Sequence, residues 1–213
     1  MIAIIDYEAG NLRSVERALK YLGLACRITS SAEEILSSDR VVFPGVGAAG
    51  KAMEVLRSRN LLQVIHNVIA RKTPFLGICL GAQILLDKSE ENNTECLKMI
   101  SGTARKFADM NLKIPHMGWN NLSIVHPHPI LEGIDPRVQF YFVHSYYPEP
   151  AKQEDMIATT DYGIRFASVI GKENVVATQF HPEKSGREGL RILVNFSRWD
   201  GKPGHFDDSV LGV

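Results

Sequence analysis

Residues 73–86 read TPFLGICLGAQILL, and the rest of the chain is organised around them. Pro74 opens a short apolar run, Phe75-Leu76-Gly77-Ile78, which ends at Cys79; from Leu80 the apolar residues take up a helical pattern. A buried strand that turns at once into a helix places the turn residue at the carboxyl edge of a sheet. Gly77 and Gly81 on either side allow the tight turn and the close packing of helix on strand. The Cys79 sulfur then lies near a helix N-terminus, whose partial positive charge favours thiolate over thiol. The arrangement is the cysteine counterpart of a nucleophile elbow. Taken alone, Cys79 reads rather as a small buried core residue, as free cysteines commonly are. A second site is needed to change that reading.

The whole chain sets the frame. Its 213 residues suit one sizeable α/β domain or two small ones. We divide it into one domain, 1–199, and a polar tail, 200–213. Lys plus Arg and Asp plus Glu each number 24, so no strong field is available to steer nucleic acid or an anionic membrane. The three cysteines, Cys26, Cys79 and Cys96, are too few and of the wrong parity for a disulfide framework, and they fit a reducing compartment. The opening MIAIIDYEAG carries Asp6 where a signal peptide needs an apolar core, and no run is long enough to span a bilayer. The expectation is a soluble, cytoplasmic protein.

In order along the chain, Ile2 to Ile5 reads as a buried first strand. Leu12 to Leu22 reads as a helix with Asn11 as N-cap and Gly23 as its stop. Strands follow at Cys26 to Thr29 and at Arg40 to Phe43, the latter ended by Pro44-Gly45-Val46-Gly47, and helices at about 48–57 and 61–70. This rhythm predicts a parallel sheet covered on both faces, with its binding rim beyond the carboxyl ends of the strands. Gly10-Asn11, the Pro44–Gly47 loop and Cys79 fall on that rim. After Leu86 the polar segment Asp87 to Glu95 reads as surface loop. Strand-like runs at 100–107, 119–125, 139–147, 157–160, 166–170 and 175–180 predict antiparallel or mixed pairing, at the sheet edge or in a small ribbon. Gly186 to Trp199 is again helical.

The second site is Ala177-Thr178-Gln179-Phe180-His181-Pro182-Glu183. A strand ends on His181, and in extended chain positions i and i+2 point the same way, so Glu183 can reach one imidazole nitrogen and leave the other free. That is a base with its orienter, as an activated nucleophile requires. A surface histidine near a surface glutamate is the plainer alternative. With the Cys79 elbow in the same α/β chain, the two signals converge on thiolate attack at an acyl carbon through an acyl-enzyme. Pro44–Gly47 can then present a backbone N–H to the oxyanion beside the N–H of Leu80. No Cys or His pair has metal-ligand spacing, so neither metal nor cofactor is expected. Cys26 and Cys96 read as passive, His126 and His128 as part of a turn, and His116 as a surface residue.

Gly77-Ile78-Cys79-Leu80-Gly81-Ala82-Gln83 and Phe180-His181-Pro182-Glu183 resemble the signatures of class I glutamine amidotransferases. Further stretches resemble the glutaminase subunits of imidazole glycerol phosphate synthases: Asp6-Tyr7 with Gly10-Asn11, Pro44–Gly47, IPHMGWN at 114–120 and YFVHSY at 141–146. The resemblance runs from Ile2 to about Trp199. It implies a flavodoxin-like α/β fold, a mainly parallel sheet with helices on both faces and antiparallel strands in the second half. It implies that Cys79 is the nucleophile, His181 the general base and acid, and Glu183 the orienter, cleaving L-glutamine to glutamate and ammonia through a thioester. The oxyanion would lie against Val46, Gly47 and Leu80. Gly47, Gln83, Ser145 and Tyr146 would hold the amino-acid end of glutamine, with Glu91 on its ammonium group. Ammonia would pass to a (β/α)8-barrel cyclase subunit, a heterodimer partner, for synthesis of imidazole glycerol phosphate and aminoimidazole carboxamide ribotide in histidine biosynthesis. Asn11, Ser14, Trp119 and Tyr141 match partner-facing positions, where Ser14 departs from the asparagine common in relatives, and the resemblance places His116 near the acceptor-side interface. Other readings stay open here: a sister glutaminase serving another acceptor such as a sugar amidation system, a non-enzymatic module, or a cysteine peptidase. The complete set of Cys79, His181 and Glu183 disfavours the non-enzymatic one.

Overall fold

A computed structural model describes residues 1–8, 10–108 and 112–202. Its first half alternates β1 (Ile2–Ile5), α1 (Leu12–Tyr21), β2 (Cys26–Thr29), α2 (Ala32–Leu36), β3 (Arg40–Gly45), α3 (Ala49–Ser58), α4 (Leu61–Ala70), β4 (Phe75–Cys79) and α5 (Leu80–Ile84). The second half is mostly strand: β5 (Lys88–Ser89), β6 (Thr94–Glu95), β7 (Gly102–Lys106), β8 (His116–Asn121), β9 (Ser123–Ile124), β10 (Gln139–His144) and β11 (Tyr146–Pro150). It continues with β12 (Met156–Tyr162), β13 (Ile164–Lys172) and β14 (Val175–Thr178), and α6 (Gly186–Arg198) closes it.

The main sheet has eight strands in the order β2-β1-β3-β4-β14-β13-β12-β9. The first five of these run parallel. Counted along the chain their order is 2-1-3-4-5, the flavodoxin-like winding. The remaining three add antiparallel strands at one edge. The expectation of antiparallel or mixed strands in the second half holds for most of it. However, β14 enters the parallel block directly, with Val175 opposite Phe75 and Thr178 opposite Ile78. Nothing local to β14 reveals a partner that lies so far back in the chain.

Burial on both faces follows from strand alternation. Ile2, Ile4, Val42, Leu76, Ile78 and Val176 point into one core, shared with Val15 and Leu19 of α1 and Ile192, Leu193 and Phe196 of α6. Ala3, Ile5, Val41, Phe43, Phe75 and Ala177 point into the other, with Ile35, Met53, Leu56, Ile65 and Val68 from α2, α3 and α4. Full burial of β4 on both faces leaves no room at Gly77, nor at Gly81 in the helix α5 that follows it. A Cβ on Gly77 would stand 2.9–3.0 Å from Leu85, Ala177 and the Gly81 carbonyl carbon, and one on Gly81 would meet the Phe43 carbonyl oxygen at 2.3 Å.

Three local expectations are corrected. α2 was not foreseen, although Ser31-Ala32-Glu33-Glu34 is a capping-box sequence and the Glu34 N–H donates to Ser31 Oγ at 3.4 Å. Residues 88–95 are not plain loop: β5 and β6 form a hairpin that joins the four-stranded sheet β11-β7-β5-β6. Pro182–Lys184 form a single 3-10 turn rather than extended chain. Beyond Trp199, the indole N–H donates to the Lys202 carbonyl at 2.8 Å. Of the tail 200–213, residues 203–213 lie outside the described residues. Among the described residues no helix is long and apolar enough to cross a membrane.

Candidate active site

Cys79 occupies the corner between β4 and α5 with φ 55° and ψ −103°. Left-handed backbone at a non-glycine residue costs of the order of 1–3 kcal/mol and is held only by surrounding structure. Here β3 and β14 flank the strand, with Gly45 opposite Cys79. The sulfur is almost fully buried; it accepts from Gln179 Nε2 at 3.6 Å and lies 4.0 Å from the Val143 carbonyl.

His181 follows the carboxyl end of β14, the strand next to β4, so topology alone brings it beside Cys79. Its Nδ1 lies 2.7 Å from Glu183 Oε1, and both side chains are fully buried. The carboxylate can only accept, so Nδ1 carries the proton. That leaves Nε2 buried, with no hydrogen-bond partner of ordinary geometry among the described residues. Burial works against a charge on this imidazole, but interaction with the Cys79 thiol and the bond to Glu183 outweigh it and raise the pKa to about 9. The backbone fixes the ring as well: His181 N–H donates to the Tyr141 carbonyl at 2.9 Å, and Ser185 Oγ donates to the His181 carbonyl at 2.6 Å. Glu183 reaches Nδ1 through the 3-10 turn that Pro182 starts.

A cavity of about 340 Å³ opens over the sulfur. Val46, Gly47, Leu80, Gln83, Glu91, Ser145 and Tyr146 line it, together with His144. All the residues expected at the oxyanion and amino-acid positions therefore meet at one opening. Gly47 has φ 99°, and Leu80, as the first residue of α5, has a backbone N–H with no partner inside the helix. Gln83 Nε2 donates to the Tyr146 carbonyl at 2.9 Å and to Gln179 Oε1 at 3.1 Å. One Glu91 oxygen accepts from Ala49 N–H at 2.6 Å, at the start of α3.

The expected partner-facing residues divide. Trp119 on β8 is half exposed and forms a T-shaped pair with Tyr141 on β10, ring centres 6.0 Å apart. Ser14 lies half-buried in the first turn of α1. Asn11 does something else. It adopts φ 76°, makes no side-chain cap, and its amide donates to Glu183 Oε1 at 2.6 Å. Sequence reasoning missed this bond, which spans 172 positions and has no local signal. It also gave no role to Gln179, although that residue sits two before His181, so the same i, i+2 argument applied. His116, read as a surface residue, is buried. Cys26 and Cys96 lie away from the cavity, and burial raises both thiols, Cys96 to about 12. Among the described residues no cluster has the make-up of a metal site.

Comparison with known proteins agrees with this arrangement. The model of the family "Glutamine amidotransferase class-I" matches residues 3–198. The chain is 50% identical over 203 residues to imidazole glycerol phosphate synthase subunit HisH of Desulfovibrio desulfuricans, covering 92% of this chain and 93% of that protein. The protein of the same name from Methylococcus capsulatus is 50% identical over 210 residues, covering 93% and 96%. Among solved structures, PurLQS from Thermotoga maritima superposes with a TM-score of 0.73 at 14% identity, covering 92% of this chain and 96% of that one. A crystal structure described as glutamine amidotransferase superposes with a TM-score of 0.71 at 18% identity, covering 94% and 100%. At such identities these two likenesses speak for the fold alone. Match, fold and corner cysteine together make the chain a member of the class I glutamine amidotransferase family, and an enzyme.

Proposed function

We propose that Cys79, His181 and Glu183 hydrolyse L-glutamine in the cavity over the Cys79 sulfur. The function is that of a glutaminase subunit supplying ammonia for imidazole glycerol phosphate synthesis in histidine biosynthesis. The observation that carries the assignment of roles is the buried imidazole of His181, paired with the buried Glu183 carboxylate and acted on by the thiol of Cys79, a residue that lines an amino-acid-sized cavity.

The chemistry follows from that line. His181 Nε2 holds the proton taken from the Cys79 thiol, and the sulfur attacks the side-chain amide carbon of glutamine. The backbone N–H groups of Gly47 and Leu80 receive the oxyanion. The imidazolium returns its proton to the amide nitrogen, the C–N bond breaks, and ammonia leaves a glutamyl thioester. Water, deprotonated by the same imidazole, then releases glutamate and restores the thiol. Glu183 keeps the proton on Nδ1 and so keeps Nε2 basic. Gln83, Ser145 and Tyr146 hold the amino-acid end, and the free oxygen of Glu91 faces its ammonium group.

The partner is a cyclase subunit with a (β/α)8-barrel, in a cytoplasmic heterodimer. Support comes from the half-exposed Trp119 and the exposed Met117 on β8 with Tyr141 beside them, an aromatic surface suited to anchoring a partner. Ammonia is nucleophilic only when neutral, and near neutral pH it becomes mostly ammonium once it equilibrates with water. Direct transfer to a bound partner preserves it. A sister glutaminase with another acceptor is disfavoured, because the HisH relatives are similar over nearly their full length. The test is co-purification with the cyclase, followed by glutamine-dependent synthesis of imidazole glycerol phosphate. Glutamine hydrolysis that this cyclase neither binds nor uses would select the sister reading.

A further inference from the structure

His116 and His144 stand opposite one another in the β8–β10 register, and neither takes part in the chemistry above. His116 Nδ1 lies 3.0 Å from His144 Nε2, and His144 Nδ1 lies 2.8 Å from the Tyr146 carbonyl oxygen. A carbonyl only accepts, so His144 carries its proton on Nδ1. Burial pushes His144 down to about 3 and His116 to about 4, so both rings are neutral near pH 7. A neutral imidazole protonated on Nδ1 has an acceptor at Nε2. His116 must therefore donate from its own Nδ1, and its Nε2 becomes an acceptor in turn. Asn120 Nδ2 stands 3.4 Å from that atom and also donates to the Asp161 carbonyl at 3.0 Å.

Every donor along this path points the same way, from Asn120 through His116 and His144 to the Tyr146 carbonyl. That carbonyl also accepts from Gln83 Nε2, and Gln83 and Tyr146 both line the cavity. The rings have little freedom to turn. His116 is stacked against Tyr162 at 4.0 Å and Phe142 at 4.9 Å; Phe107 and Phe166 meet it edge to face and pack at a tilt against His144. A histidine used only for filling would not need two nitrogens matched to two neighbours.

We propose that His116 is a positioning residue for the glutamine site: by donating to His144 Nε2 it fixes the tautomer and rotation of His144, and through it the Tyr146 carbonyl and Gln83 that bound the amino-acid end of the cavity. The inference rests on the reading of that cavity as the glutamine site. It assigns His116 an effect on substrate binding rather than on the chemical step, because His144, Tyr146 and Gln83, which it holds, all line the cavity, whereas His181 is set by its own bonds to Glu183 and to the Tyr141 carbonyl.

The two amide substitutions of His116 separate this role from packing. Asparagine carries an N–H donor where Nδ1 stood, whereas glutamine carries its amide where Nε2 stood. In the complex with the cyclase, H116Q should raise KM for glutamine about five- to tenfold with kcat within about twofold of wild type, since one neutral hydrogen bond is lost. H116N should bring KM back to within about threefold, at a thermal midpoint no higher than that of H116Q. Nitrogen-15 spectra of the imidazoles should show His144 protonated on Nδ1 in the wild type and in H116N, and mixed tautomers in H116Q. Equal KM values for wild type and H116Q, or equal impairment of H116N and H116Q, overturn the role. A wild-type complex that does not hydrolyse glutamine overturns the reading of the cavity itself, a result distinct from an active wild type insensitive to H116Q.

Discussion

The side-chain amide of Asn11 donates to Glu183 Oε1 at 2.6 Å, on the same oxygen that receives His181 Nδ1. The loop after β1 thus completes a line of polar groups that begins on β4 and passes through the turn after β14. Removing the donor leaves a buried carboxylate with one partner fewer. Asn11→Ala should lower kcat/KM for glutamine by about tenfold, the scale of a charge-assisted hydrogen bond of about 1.5 kcal/mol. Asn11→Asp, which places a like charge against Glu183, should cost more. Steady-state glutaminase kinetics on the cyclase complex decide it; equal rates for wild type and both variants would separate Asn11 from the site.

Cys79→Ala should abolish glutamine-dependent synthesis, by roughly four orders of magnitude or more, as expected for a nucleophile. Synthesis driven by added ammonium salt should persist, because the acceptor chemistry belongs to the partner. Loss of both activities in a correctly assembled complex would contradict this division of labour.

The raised pKa of His181 has a consequence for stability. An unfolded histidine titrates near 6.5, the buried one at about 9. The folded state therefore binds the proton more tightly. Its contribution to stability is complete below about pH 6.5 and is lost as pH rises through about 9. Chemical unfolding between pH 6 and 10 should show this loss in the wild type and a smaller one in His181→Asn. Cys79→Ala should move the His181 titration downward, since one of its two supports is gone; an unmoved titration by NMR would show that the thiol does not act on the imidazole.

Gly81→Ala tests the elbow as a packing device. The new Cβ would stand 2.3 Å from the Phe43 carbonyl oxygen, a backbone atom that cannot swing aside. Stability should fall by about 2 kcal/mol, which is about 5 °C in Tm for a chain of this size. An unchanged Tm would mean that β3 and α5 can separate more freely than their packing indicates.

How much of this was legible in the sequence depends on how local the cause is. β1, β2 and α4 begin and end where apolar spacing and turn residues place them, because both signals are short-range. The corner at Cys79 was legible for the same reason: an apolar run, a glycine on each side and a change of period all fall within 73–86. Asn11 shows the opposite case. Its position before a helix suggested a cap, but the backbone turns left-handed there and the amide serves Glu183 instead. His116 was unreadable as a buried donor because Tyr162, Phe142 and His144 come from two other strands. The parallel entry of β14 was hidden likewise, since strand partners are chosen by the whole sheet and not by the strand.

The most direct measurement is mass spectrometry of the cyclase complex, quenched in acid within milliseconds of mixing with L-glutamine. A glutamyl adduct on the peptide that contains Cys79 is the expected result, appearing before steady state and absent from Cys79→Ala. Glutamine turnover at full rate with no adduct on that peptide, or with the adduct on Cys26 or Cys96, would contradict attack by the corner sulfur.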